Sequence, residues 1–197
     1  MAGLSGVSTT GVGNDIVNYL TAVAEHFNVD IVVTSGYRDA AAQAKAMFDN
    51  WIKLKRGAVY AVATLPVADR TTLDGHYDKA KDTKATAAER DTAKADFLKL
   101  ASDVVGTKSK HSSGRALDVA KASVSTKVYN AITRRLTEVD ENRDDIYHFQ
   151  SDGAVPTVGE ADRTAWGPAV TAAAQSSASV RYLVEVAAAM PCTCRAA

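Results

Sequence analysis

Four histidines occur in the chain, His26, His76, His111 and His148, and two of them keep company that could do chemistry. His111 opens the run His-Ser-Ser-Gly-Arg-Ala-Leu-Asp, which places Asp118 seven residues on, with Gly114 between them. Neutral imidazole and carboxylate are both good zinc ligands, and a turn at Gly114 followed by a strand brings them together as one straight element does not. Along that strand Ala116 and Asp118 share a face, and the small methyl of Ala116 leaves open space beside a metal. His148 closes the run Asp-Ile-Tyr-His. In a strand there, Ile146 and His148 point to one side and Tyr147 and Phe149 to the other, so the histidine looks into a cleft while the aromatics enter a core. Asp145, three residues before His148, falls on the wrong face of a regular strand. Joint action therefore requires Asp145 to sit where the strand begins, or at a bulge.

A third group is Ser35-Gly36-Tyr37-Arg38, with Gln43 one turn into the helix that follows. An arginine at a strand-to-helix junction presents a planar fork of donors to a carboxylate or a developing oxyanion. Each group alone also has a bland reading. A histidine among Ser and Gly is more often a surface residue than a ligand, and Asp145 beside Arg143 and Asp144 reads equally well as a solvated turn.

The elements that must position these residues follow from pattern. Ile16, Leu20, Val23 and Ala24 lie at helical spacing within Asn14 to Phe27, after a glycine-rich lead. Val29 to Ser35 is a β-branched run stopped by Gly36, which predicts a strand. Asp39 is a good N-cap for a helix over Ala40 to Lys55. Pro66 to Asp103 shifts to Lys, Asp, Thr and Ala, and predicts a solvated, charged helical insertion. Arg115 to Val119 and Asp145 to Gln150 predict strands, Ser125 to Val139 a helix, and Thr164 to Ala178 an alanine-rich helix. Val180 to Ala189 is apolar without a deciding period. Asp74-Gly-His76-Tyr-Asp78 reads as a surface turn, and Trp51 and Trp166 as packing residues. Short alternating strands between irregularly spaced helices predict an α+β domain.

In order and combination the motifs are more specific. Ser35-Gly-Tyr-Arg38, then Ser109-Lys-His111-Ser-Ser-Gly114-Arg-Ala116-Leu-Asp118, then a carboxylate three residues before His148, resemble the D-alanyl-D-alanine carboxypeptidase and L-alanyl-D-glutamate endopeptidase family. These are zinc peptidases of bacterial cell-wall peptides, with a hedgehog-type fold in which a small antiparallel sheet packs against helices. The resemblance covers Val29 to about Gln150. It implies one zinc ion per chain, bound by His111, Asp118 and His148, with Asp145 as general base and Arg38 contacting the substrate carboxylate or carbonyl. Ser35, Tyr37 and Gln43 would support the substrate pocket, and Ser109 would stand behind it. Aspartate at the base position looks like the phage-endolysin branch, which favours the L-alanyl-D-glutamate bond over D-alanyl-D-alanine. The chain departs from the family in having Ile146-Tyr147 where a tryptophan-rich context is usual, and in the charged stretch between Arg38 and His111. A zinc-stabilised binding module of the same fold is the rival without catalysis.

Composition sets the frame for that reading. The chain has 197 residues, 46% of them hydrophobic, enough for one globular domain with its own core. The expected organisation is a single domain over 1–197, with a motif-bearing core at 29–150, the insertion at 66–103 and a C-terminal extension at 151–197. Lys and Arg number 23 against 23 Asp and Glu, so no charge excess drives binding to nucleic acid or an anionic membrane. Cys192 and Cys194 alone cannot form a disulfide framework or a four-cysteine zinc site. The first residues lack the basic and apolar regions of a secretory signal, and no apolar run is long enough to span a membrane. The expectation is synthesis in the cytoplasm without a Sec signal, and peptidoglycan peptides as partners. Such an enzyme would reach the wall or periplasm through phage lysis or an injection machinery.

Overall fold

The computed structural model describes residues 2–58, 65–106, 108–140 and 144–169. The elements run β1 (Gly3–Gly6), α1 (Asn14–Phe27), β2 (Asp30–Ser35), α2 (Ala40–Asn50), α3 (Val67–Lys81), α4 (Ala87–Ala101), β3 (Ala116–Ala120), α5 (Thr126–Ile132), β4 (Thr137–Val139), β5 (Ile146–Gln150) and α6 (Glu160–Trp166). The class is α+β. One five-stranded sheet has the order β1-β2-β3-β5-β4, so the central pair, β3 and β5, brings together segments thirty residues apart in sequence at Asp118 and His148. Among the described residues no helix is long and apolar enough to cross a membrane.

The sheet is mixed, which corrects the expectation of an antiparallel one. Three pairings, β2 with β3, β3 with β5 and β5 with β4, are antiparallel, but β1 runs parallel to β2 because α1 carries the chain back as a crossover. Four residues with glycine at both ends, Gly-Leu-Ser-Gly, give no alternation by which a strand could be read. A second difference lies before β5. The helix expected over Ser125 to Val139 stops at Ile132, and Thr137–Val139 pairs with β5 instead, covering an edge that would otherwise be left open.

Two cores result. On one side of the sheet α1 and α5 bury Ile16, Leu20, Val23 and Ile132 against Ile31, Leu117, Val119 and Phe149. Leu117, Val119 and Phe149 come from alternate positions of β3 and β5, so Asp118 and His148 are obliged to face the other way. Away from the sheet, α2, α3 and α4 form a second core of Met47, Phe48, Trp51, Leu73 and Phe97. The Phe97 ring meets Phe48 and Trp51 edge-on at 5.1 Å in each case. The charged stretch is thus helical, as expected, but it is not merely solvated. Ala93, Phe97 and Ala101, at i, i+4 and i+8 of α4, form a buried stripe too narrow to stand out from its charged neighbours.

Asp74 to Asp78 lies inside α3 and not in a turn. Leu73 and Tyr77 face the second core there, while Asp74 accepts from Trp51 Nε1 at 2.8 Å and from Arg56 at 3.0 Å, and Asp78 accepts from Arg56 at 2.8 Å. Trp51 and Trp166 are both buried, as packing residues should be. The helix expected from Ala40 to Lys55 ends at Asn50, and the chain turns back through Lys55 and Arg56, both at positive φ. The helix expected over Thr164 to Ala178 runs instead over Glu160–Trp166 and ends at Gly167, and residues 170–178, Val180 to Ala189, Cys192 and Cys194 lie outside the described residues.

Candidate metal centre

Asp118 occupies the middle of β3, directly across the ladder from His148 on β5. On the other flank it faces Ser35, at the end of β2, where the register slips between Val33 and Ser35. Such a bulge re-aims the end of a strand next to a site. It leads straight into Gly36, Tyr37 and Arg38.

His111 arrives from a loop held at both ends. Its N–H donates to Ser109 Oγ at 3.2 Å, and its carbonyl accepts from Gly114 N–H at 3.1 Å and Arg38 N–H at 3.4 Å. Gly114 adopts φ +68°, and a Cβ there would lie 2.3 Å from the Gly11 carbonyl oxygen, so only glycine fits this turn. Arg115 then fastens the loop to the start of α1 by pairing with Asp15 at 2.8 Å.

The three side chains converge. Asp118 Oδ1 lies 2.9 Å from His148 Nδ1 and 3.4 Å from His111 Nε2, and one ligand atom from each residue falls within 4.8 Å of the others. All three residues are buried, Asp118 and His111 at 2% exposure and His148 at 7%. His111 Nδ1 is 2.6 Å from the Gly36 carbonyl. A carbonyl only accepts, so Nδ1 carries the proton, and in the tautomer that binds a metal ion the lone pair then lies at Nε2. That Nε2 is buried and makes no hydrogen bond, since the 3.4 Å approach to Asp118 lacks the geometry of one. A buried acceptor without a donor is costly, and a cation satisfies it. His148 Nδ1 donates to Asp118 Oδ1, so Nδ1 would serve as a metal ligand only once its proton had moved off that nitrogen.

The second carboxylate oxygen is occupied differently. Arg38 Nη2 donates to Asp118 Oδ2 at 2.7 Å, and Arg38 Nη1 donates to Gln43 Oε1 at 3.2 Å. Burial by itself pushes the Asp118 carboxyl up, but the hydrogen bond and charge that His148 sets against it help to outweigh burial and hold it well below the usual carboxylate range. The group is therefore an anion flanked by two imidazoles, a donor set of two nitrogens and one oxygen able to hold a metal ion.

The remaining residues singled out by sequence take distinct places. Gln43 is buried and Ser35 half-buried beside the group, while Tyr37 is 47% exposed, its ring lying over Gly11. Ser109 shapes the His111 loop by accepting from the His111 N–H. Asp145 is exposed and outside the buried group. It lies immediately before β5, the position that frees it from the strand's alternation, and its carbonyl accepts from Lys121 N–H at 3.0 Å. Two contributors left no legible signal: the Gly36 carbonyl, which is main chain, and Arg115, whose partner Asp15 is a hundred residues away. Comparison with protein-family models, with curated proteins and with solved structures gives no match.

Proposed function

We propose that the protein is a zinc peptidase that hydrolyses the stem peptides of bacterial peptidoglycan, at the L-alanyl-D-glutamate bond in the first instance. The observation that carries this reading is the orphaned, buried His111 Nε2 aimed at the same carboxylate oxygen as His148 Nδ1. In a tetrahedral zinc site with bonds of about 2.0–2.1 Å, neighbouring ligand atoms stand about 3.3 Å apart. The separations of 2.9 and 3.4 Å bracket that spacing. The resemblance of the surrounding motifs to zinc peptidases of cell-wall peptides supplies the substrate class.

His111, Asp118 and His148 would hold the ion, which supplies Lewis acidity and makes water a usable nucleophile near neutral pH. Asp145, three residues from His148 and outside the buried group, takes the proton of the attacking water and passes it to the leaving amine. Arg38 engages two of its five side-chain N–H groups with Asp118 and Gln43, and the others would be the ones to meet the substrate carbonyl or carboxylate. Tyr37 offers an exposed ring at the rim.

Digestion of purified peptidoglycan followed by mass spectrometry tests the reading. New N-terminal D-glutamate is expected. Free D-alanine would instead favour a D-alanyl-D-alanine carboxypeptidase, and wholly intact peptides would leave a zinc-stabilised binding module. Asp145→Ala should keep its zinc while hydrolysis falls at least about a hundredfold, the lower range for a lost general base. An active variant would remove Asp145 from that role.

A further inference from the structure

Gln43 is 3% exposed, a polar side chain buried in the first turn of α2, and it touches no metal-ligating atom itself. Its place follows from the helix start. Asp39 is the N-cap, its Oδ1 accepting from Ala42 N–H at 2.7 Å and its carbonyl from Gln43 N–H at 2.9 Å. Arg38 is then the residue before the cap and Gln43 the fourth of the helix. These two positions commonly meet as an apolar staple that fixes how the chain enters a helix. Here the staple is polar, and the arginine fork is split, one terminal nitrogen on Gln43 Oε1 and the other on Asp118 Oδ2.

The split has a consequence for the carboxylate. A carboxylate beside a cation can bind through one oxygen or both, and whatever holds the second oxygen decides between them. With Oδ2 held by Arg38 at 2.7 Å, only Oδ1 is turned toward His111 and His148. Arg38 is long and a fifth exposed, so it holds that pose only while its other nitrogen is anchored.

We infer that Gln43 is a positioning residue of the metal centre: by anchoring Arg38 it keeps Asp118 bound through one oxygen and so sets the affinity of the site. This rests on the metal-centre reading above. It concerns neither the proton transfer at Asp145 nor the identity of the peptide bond.

The test is zinc affinity by competition with a chromophoric chelator, together with the visible spectrum of the cobalt-substituted protein, for the wild type, Gln43→Leu and Gln43→Glu. Gln43→Leu fills the same buried space without an acceptor and should weaken zinc about 10- to 100-fold, the usual effect of losing an outer partner. Its cobalt spectrum should change, because the carboxylate is released to bind through both oxygens. Gln43→Glu keeps an oxygen for Arg38 and should restore both affinity and spectrum. If Gln43→Leu does not fold, Gln43→Met carries the test, since a thioether is only a weak acceptor for Arg38 and should give the same weakened affinity and altered spectrum. Wild-type zinc binding with unchanged affinity and spectrum in the variant tested overturns the positioning role alone. A wild type that binds no zinc overturns the metal centre itself, and this inference with it.

Discussion

The two cores solve different problems. The sheet core is built from alternate residues of β3 and β5 packed under α1 and α5, and this alternation is what turns Asp118 and His148 to the opposite face. The helical core of α2, α3 and α4 has no such relation to the donor atoms, but the chain leaves it at both ends toward them. Arg38 and Gln43 stand at the head of α2, and the loop carrying His111 follows α4 by way of a π-helical turn over Ser102–Gly106. The sheet thus fixes the anion and one imidazole, while the helical unit delivers the second imidazole and the guanidinium. Metal affinity should be more sensitive to opening the sheet core than to opening the helical core.

The largest expected effects come from opening each core in turn. Phe149→Ala and Phe97→Ala each remove a fully buried ring, and each should lower stability by about 3–5 kcal/mol in urea titrations. They should part company in zinc affinity. Phe149 adjoins His148 on β5, so its loss should weaken zinc at least about tenfold, whereas Phe97→Ala should leave affinity much nearer the wild type. Equal losses would mean that the two regions form one mechanical unit.

A smaller effect probes the helical unit alone. Thr86 caps α4 in a reciprocal box, its Oγ1 accepting from Glu89 N–H at 3.3 Å and Glu89 Oε2 from Thr86 N–H at 2.9 Å. Thr86→Ala should cost about 1 kcal/mol and leave zinc binding unchanged. Altered zinc binding in that variant would contradict the division between the regions.

The smallest effect lies on the sheet side and depends on pH. Burial raises the Asp15 carboxyl, but the Val155 N–H and Arg115 more than offset it, so its folded value is depressed. A depressed carboxylate stabilises the fold above its unfolded value, here near 3.8, and that contribution disappears as pH falls through the folded value. Urea midpoints measured downward from about pH 5 should fall less steeply for Asp15→Asn than for the wild type. Identical slopes would remove Asp15 from the acid response.

The same contrast governs what sequence could say. On the sheet side, period-two alternation placed β3 and β5 within a residue of their observed ends, and with them the opposite orientations of His148 and Phe149. His111 and Asp118 were legible because a histidine, a glycine turn and an alternating strand follow one another within eight residues. The parallel pairing of β1 was not, since four residues bounded by glycine carry no period, and neither was β4, whose identity depends on the edge it covers. In the helical unit the segment type was legible and its core was not. Phe97 is one aromatic among charged neighbours, and only the ring contacts with Phe48 and Trp51 reveal it as a centre. The split fork of Arg38 is half legible: both residues stand out in the sequence, but their contact depends on Asp39 being the cap.

The central claim is a single metal ion held by His111, Asp118 and His148, and the most direct test is zinc content per chain. Wild type and His111→Ala would be loaded, dialysed and analysed side by side by plasma mass spectrometry, with circular dichroism to show that both are folded. About one zinc per wild-type chain is expected, as for other three-ligand sites, and only a trace in the variant. A wild type without zinc, or a folded His111→Ala protein that retains it stoichiometrically, would contradict it.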